Sequence, residues 1–157
     1  EEKYKYFWFK MMRNKLGLEN DLDSDEKLIL ELLSWMHQNK ADYTNTFCFL
    51  MNNLNHNKKI YENKNFQLWK NKWENRKKSN RDKNISTKLM KDANPIIIPR
   101  NHLVENVLSE VINKNNYDKF HNLLMAINDP LKYKSSLSEY QFVPDFDENN
   151  YVTYCGT

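Results

Sequence analysis

Glycine is nearly absent from this chain, with Gly17 and Gly156 the only two among 157 residues. Loops that hold phosphate through their backbone need glycines at fixed spacing, because a side chain would keep the main chain away from the anion. Neither glycine stands in such a context, so the sequence has no P-loop, no dinucleotide-binding fingerprint and no glycine-rich kinase loop. We therefore expect this segment to bind no nucleotide cofactor by itself.

Long apolar runs and cysteines are also scarce. No stretch of about 18 consecutive apolar residues occurs, so we predict no membrane-spanning helix and no membrane partner. The N-terminal residues do not form a signal peptide. Cys48 and Cys155 are too few and too far apart for the disulfide framework of a small secreted protein. Because no disulfide framework is expected, the sequence suits a reducing compartment. We therefore expect a cytoplasmic location, or a mitochondrial one in a eukaryote.

The four histidines give no metal signal. None stands four residues from another histidine or from a cysteine, which is the spacing of a zinc site on a helix. No order of serine, histidine and aspartate marks a hydrolytic triad. We predict no metal site in this segment.

Helical periodicity is the main positive signal. Start and stop residues agree with it: Gly17 suits a left-handed cap, Asp23 with Glu26 resembles a capping box, and Asp42 or Thr44 can cap a third helix. No strand-like alternation persists. The apolar spacing of three and four predicts helices near residues 1–16, 24–39, 44–54, 65–78, 86–90, 100–114 and 117–128.

The predicted fold class is all-α: an irregular bundle of about six or seven helices with an extended, aromatic-rich C-terminal tail. Residues 1–130 form the helical domain and residues 131–157 form the tail. The chain has no initiator methionine and begins inside a helical pattern, so we expect it to be part of a longer chain. The tail's aromatic residues show no helical period: Tyr133, Tyr140, Phe142, Phe146, Tyr151 and Tyr154.

The apolar stripes predict which side chains face the core. In the first helix they are Tyr4, Phe7, Trp8, Met11, Met12 and Leu16. In the last two helices they are Leu103, Val107, Leu108, Val111, Phe120, Leu123, Leu124 and Ile127.

Residues 70–83, KNKWENRKKSNRDK, mix cations with aromatic residues. Nucleic-acid binders use cations on phosphates and aromatic rings on bases. However, Phe66, Trp69 and Trp73 share one helical face, so we interpret these rings as core and the lysines as a solvated surface. No nucleic-acid partner is predicted.

Residues 94–105, NPIIIPRNHLVE, hold two prolines around three isoleucines, followed by Arg100, Asn101 and His102 at the start of a helix. One interpretation is local: a neighbouring side chain caps the helix and Arg100 makes a surface ion pair. The other is a contact to another domain or to an anion, since helix N-termini attract negative charge. Spacing does not decide between them.

The two cysteines differ in setting. Cys155 stands third from the end and is either a reactive thiol on a terminal tail or an inert surface residue. Cys48 follows Phe47 within a helix, and we expect its thiol to be buried and inert.

Five stretches occur in order: MRNKLGL at 12–18, ADYTNTF at 41–47, NPIIIPRNHLVENVL at 94–108, NDP at 128–130 and the terminal YCGT. Together they resemble the C-terminal part of the SelO (YdiU) family of pseudokinase-like protein adenylyltransferases, over nearly the whole chain. The resemblance implies a parent protein that binds ATP with Mg²⁺ and transfers AMP to Ser, Thr or Tyr hydroxyls of protein substrates. The family's nucleotide and metal residues precede this segment, so no catalytic residue is assigned here.

The resemblance also implies roles for this segment. It would support an N-terminal kinase-like catalytic domain of the same chain, and Cys155 would be a redox residue. The family tends to have arginine where this chain has Cys48, which makes Cys48 an alternative thiol partner. The resemblance also strengthens the interdomain interpretation of Arg100, Asn101 and His102. A stand-alone helical protein-interaction module without catalysis is the alternative function.

Overall fold

The computed structural model describes residues 1–54, 58–132 and 135–143, and these ranges contain helices and no strand. The all-α prediction is confirmed. Within these ranges there are seven α-helices and two 3₁₀ helices, the latter spanning Lys58–Glu62 and Ser135–Gln141. The α-helices are α1 (Glu2–Lys15), α2 (Ser24–Gln38), α3 (Tyr43–Leu50), α4 (Lys64–Lys77), α5 (Lys83–Ala93), α6 (Asn101–Lys114) and α7 (Asp118–Ile127).

Helix α1 ends at the left-handed cap that the sequence predicts. The Leu18 amide donates to the Arg13 carbonyl at 2.9 Å and the Gly17 amide donates to the Asn14 carbonyl at 3.0 Å, which is the Schellman pattern. Gly17 has φ +68°, and a Cβ there would lie 2.7 Å from the Ser86 carbonyl oxygen. Glycine therefore allows both the turn and the close approach of α1 to α5.

The capping box expected at Asp23 and Glu26 is wrong, because the side chain of Asp23 makes no cap hydrogen bond. Asp25 takes its place, and its Oδ2 accepts from the Leu22 amide at 3.1 Å. The buried Asp25 carboxylate also accepts from Nε of Arg76 at 2.6 Å and from its Nη2 at 2.9 Å. One carboxylate thus fixes the start of α2 to the last turn of α4.

The rings of Trp69 and Trp73 lie in the core, as predicted. They stack with centroids 6.0 Å apart and planes 7° apart. The indole N–H of Trp69 donates to the Leu28 carbonyl and that of Trp73 to the Leu16 carbonyl, both at 2.8 Å. Neither ring is available to stack on a nucleic-acid base.

Two apolar faces predicted to be core lie on the surface. On α1, Tyr4 is 74% exposed and Phe7 61%, whereas Met12 and Leu16 of the same helix are buried. We call Tyr4, Tyr6, Phe7 and Met11 the α1 face. On the α6–α7 pair, the hairpin face consists of exposed Leu108, Ile112, Phe120, Leu124 and Met125. Here the core predictions for Tyr4, Phe7, Met11, Leu108, Phe120 and Leu124 are wrong, because the described bundle covers only one side of each helix.

The proline-bounded segment before α6 joins the two ends of the α6–α7 pair. Ile96 and Ile97 are buried, and the Ile96 amide donates to the Pro130 carbonyl at 2.7 Å. Asn94 precedes this segment and ends α5 with an extended backbone, as expected before a proline. The segment is therefore a joint between the chain entering α6 and the chain leaving α7.

Helix α5 is longer than the sequence indicates, because Asp82 caps it by accepting from the Asn84 amide at 2.9 Å. In the tail, Ser135–Gln141 forms a 3₁₀ helix where we expected an extended chain. Tyr133, Phe146, Tyr151, Tyr154 and Cys155 lie outside the described residues. None of the described helices combines the length and the hydropathy that a membrane-spanning helix needs.

Candidate functional site at the start of α6

Arg100 immediately precedes α6 and points its guanidinium into the protein. Its Nη1 donates to Asp42 Oδ2 at 2.7 Å and its Nη2 to Asp42 Oδ1 at 2.9 Å. Nη2 also donates to Asn45 Oδ1 at 3.1 Å. The Arg100 side chain is only 10% exposed. This is a bidentate, charge-assisted pair that positions both groups, so the ion pair is internal rather than on the surface.

Asp42 also caps α3, and it is one of the two candidates, Asp42 and Thr44, that the sequence offers for this cap. Its Oδ1 accepts from the Asn45 amide at 2.7 Å, and its backbone carbonyl accepts from the Thr46 hydroxyl at 2.7 Å. The same carboxylate therefore satisfies the first turn of α3 and neutralises Arg100. The start of α3 and the start of α6 are held together at this point.

A third segment joins the cluster through Asn45 and Gln141. The Asn45 side-chain amide donates to the Gln141 carbonyl at 2.8 Å, and Gln141 Nε2 donates to the Asn53 carbonyl at 2.7 Å. Gln141 is buried. These bonds fasten the 3₁₀ helix Ser135–Gln141 to both ends of α3. No local sequence pattern indicates this contact, because its partners lie 96 positions apart.

The Cys48 thiol lies beneath this cluster and is fully buried. Its Sγ is 3.7 Å from the Ile96 carbonyl oxygen and 3.9 Å from that of Pro95. Burial raises the pKa of Cys48 to about 12, and the Asp42 carboxylate adds to the shift. The prediction of a buried thiol is confirmed. Since the thiolate is the reactive form, the raised pKa supports an inert thiol, which stays a prediction. A disulfide to Cys48 would first require this region to open.

Asn101 and His102 do not join the Arg100–Asp42 pair. Asn101 is exposed and His102 is half-buried. Burial, followed by the nearby Arg100 charge, lowers the pKa of His102 below its usual 6.5, so the imidazole is neutral at pH 7. An interdomain or anion contact by these three residues stays a prediction, and the Arg100 guanidinium is already bound within this chain.

A second polar junction connects the ends of α1 and α5. Asn94 is 1% exposed, and its Nδ2 donates to the Lys15 and Met90 carbonyls, both at 2.9 Å. The Lys15 ammonium donates in return to Asn94 Oδ1 at 3.2 Å and to the Ala93 carbonyl at 3.1 Å. Burial lowers the pKa of Lys15. Together these two side chains donate hydrogen bonds to three backbone carbonyls, those of Lys15, Met90 and Ala93. The sequence pattern did not predict a structural contact for either side chain.

Neither junction contains a metal site among the residues that the structure describes. Among the residues with described positions, no group of three His, Cys, Asp or Glu side chains could hold a metal ion. Cys155 lies outside those residues. The arrangement around Arg100 is therefore a structural and electrostatic junction.

Comparison with known proteins supplies the family. A family model described as protein adenylyltransferase SelO matches residues 1–128. The protein nucleotidyltransferase YdiU of Clostridium perfringens (strain 13 / Type A) is 43% identical over 155 residues, which are 98% of this chain and 31% of that protein. YdiU of Pelagibacter ubique is 39% identical over 160 residues, covering 100% of this chain and 32% of the relative.

YdiU of Bacillus cytotoxicus is 38% identical over 155 residues, 98% of this chain and 32% of that protein. The chain thus spans about a third of the length of the curated relatives it matches. The family match nevertheless extends through every α-helix described above. The chain belongs to the SelO family of protein adenylyltransferases.

Proposed function

We propose that this chain is the C-terminal helical part of a SelO-type protein adenylyltransferase and that it supports the kinase-like catalytic domain of the same protein. The parent protein would transfer AMP from ATP, with Mg²⁺, to Ser, Thr or Tyr hydroxyls of protein substrates. Family membership supports this activity. Relatives about three times as long as this chain leave ample length for a separate catalytic domain.

The exposed α1 face is the observation that carries the supporting role. Trp8 and Phe9 pack partly on the core, and Met12 is buried. On other sides of the same helix Tyr6 is 56% exposed and Phe7 61%. Contiguous exposed apolar surface of this kind marks an interaction site. The catalytic domain is the partner we propose for this face.

Substitution of Phe7 in the full-length protein tests the supporting role. Phe7→Ser should lower the thermal midpoint of the whole protein and reduce AMP transfer from labelled ATP, because it weakens the contact between the two parts. Leu68→Ser is the matched control, since Leu68 is a 54% exposed apolar residue on α4 that is not part of the α1 face. Equal effects of the two substitutions would refute the proposed contact.

We also propose that Cys155 is a redox residue, on the basis of the family resemblance. Gln141 anchors the preceding 3₁₀ helix to α3, and 14 positions separate it from Cys155. A fully extended chain of that length reaches about 50 Å, which is enough to meet a thiol in a neighbouring domain. Cys155→Ser should abolish any response of AMP transfer to mild oxidation. An unchanged response would exclude the role.

The hairpin face favours a second candidate function, a stand-alone helical interaction module. Ile112 is 78% exposed and Met125 64%, so a second apolar surface is open to a partner. This alternative predicts that residues 1–157 fold cooperatively without any further domain. Amide exchange on that fragment distinguishes the two: rapid exchange throughout α1 supports a supporting segment, whereas strong protection supports a module.

A further inference from the structure

A pocket of about 580 Å³ lies between the end of α3, the last turn of α4 and the middle of α5. Its apolar wall is formed by Leu50, Met51 and Met90, of which Leu50 and Met90 are buried. Sites for small organic molecules typically enclose about 300–1,000 Å³ and are lined mainly by apolar side chains with a few polar groups. The pocket is separate from the Arg100 cluster and from the α1 face.

Positive charge dominates the polar part of this pocket. Lys77, Lys78 and Lys91 line it, together with one carboxylate, Glu74. Glu74 already has a partner, since its Oε1 lies 3.7 Å from the Lys70 ammonium. The lining therefore has an excess of cations, which favours an anionic ligand.

Lys77 is the lysine of this lining that packs on an aromatic ring. Its ammonium lies 3.5 Å from the centroid of the Trp73 ring, and Trp73 is buried and fixed by its own hydrogen bond. Burial lowers the pKa of Lys77, against an opposing effect of Glu74. Within the described part of the chain Lys77 forms no ion pair. The protein thus stabilises this ammonium with an aromatic face and leaves its counter-charge to be supplied from the pocket.

We propose that this pocket binds a small organic anion, with a single carboxylate, sulfonate or phosphate group on an apolar body. The anionic group pairs with Lys77, with Lys78 and Lys91 at the rim, and the apolar body contacts Leu50 and Met90. Inorganic phosphate would leave the apolar wall uncovered, and a neutral apolar molecule would leave the Lys77 charge uncompensated. This proposal does not depend on the proposed transfer of AMP.

A pair of fluorescent probes tests the proposal on the full-length protein. Anilinonaphthalene sulfonate combines an apolar body with one sulfonate, and N-phenylnaphthylamine is its counterpart without the sulfonate. We expect saturable binding of the sulfonate. Lys77→Met should raise the Kd of the sulfonate at least tenfold and leave the Kd of the neutral probe unchanged.

Lys64→Met is the matched control, because Lys64 is an exposed lysine on α4 that does not line the pocket. It should leave the Kd of both probes unchanged. The exposed Lys91→Met should raise the Kd of the sulfonate about threefold, and it preserves the test if Lys77→Met does not fold. The proposal is overturned if sulfonate binding is not saturable, or if variants at Lys77 and Lys91 bind it as tightly as the Lys64 variant.

Discussion

Arg100 and Asp42 face each other across two hydrogen bonds of 2.7 and 2.9 Å, which join the start of α6 to the start of α3. They belong to two of the stretches that carry the family resemblance. Lys15 and Asn94 belong to the first and third of these stretches, and they form the second polar junction. The recognisable segments of the sequence thus meet in space as hydrogen-bonded joints between helices.

Loss of the Arg100 charge should destabilise the protein strongly. Arg100→Gln leaves the Asp42 carboxylate largely buried without its cation, and breaking such a pair costs about 2–4 kcal/mol. Urea unfolding measures this change in the free energy of unfolding. Arg81→Gln is the control: Arg81 also pairs with a glutamate, Glu19, but it is 80% exposed, so water screens the interaction and the effect should be much smaller. Similar losses in both variants would contradict the described role of Arg100.

The amide of Asn94 should not be replaceable by an isosteric acid. Asn94→Asp puts a carboxylate oxygen opposite the carbonyls of Lys15 and Met90, in place of a donor. The Lys15 ammonium beside Oδ1 offsets part of this repulsion, so we expect a net loss of about 1–2 kcal/mol at pH 7. Protonation restores a donor, so the loss should diminish as the pH falls. Asn113→Asp on the exposed face of α6 is the control, and an equal loss there would show that the Asn94 contacts do not matter.

Removal of the Ser86 hydroxyl should stabilise the protein. Ser86 is buried, and its Oγ has no hydrogen-bond partner within the described ranges. An unsatisfied buried hydroxyl costs about 1–3 kcal/mol, and alanine is the better helix former. Ser86→Ala should therefore raise the free energy of unfolding by about 1 kcal/mol or more. Ser109→Ala is the comparison: it gains the same helix propensity but loses the hydrogen bond that its hydroxyl accepts from Asn113, so its gain in stability should be smaller. A destabilised Ser86→Ala variant would contradict this expectation.

The Cys48 thiol should be unreactive in the folded protein. Its pKa of about 12 lies above the ordinary value of 9.0, so at pH 8 a thiol reagent should label it only when the protein unfolds. Labelling in a Cys155→Ser background, monitored by mass spectrometry across urea concentrations, should follow the global unfolding curve. Labelling faster than global unfolding would reveal a local opening near Ile96.

The same pKa shift gives a pH dependence. The pKa of the Cys48 thiol is higher in the folded than in the unfolded state, so the protonated thiol contributes stability that is fully present below pH 9.0. This contribution is lost as the pH rises from about 9 to 12. The difference in unfolding free energy between the wild type and Cys48→Ala should be constant below pH 9.0 and fall above it. A flat difference up to pH 11 would contradict the raised pKa.

Local patterns predict the helices and much of the core because the apolar spacing records which face of a helix is turned inward. Phe66, Trp69 and Trp73 are buried as their spacing indicates. Tyr4 and Leu124 also lie on apolar stripes, yet they are exposed, because a stripe does not reveal which part of a protein covers it. The Arg100–Asp42 pair, 58 positions apart, depends on how two helices are placed, and no local pattern records that placement.

The hydrogen bond between the Ile96 amide and the Pro130 carbonyl brings together the two ends of residues 97–129, which contain the α6–α7 pair. The turn between α6 and α7 contains Asn115, with φ +50°. Insertions or deletions at that turn would change the length of the α6–α7 pair and leave the packing of α1–α5 in place. Differences in length between related proteins should therefore be tolerated at residues 115–117 and disfavoured at residues 94–100.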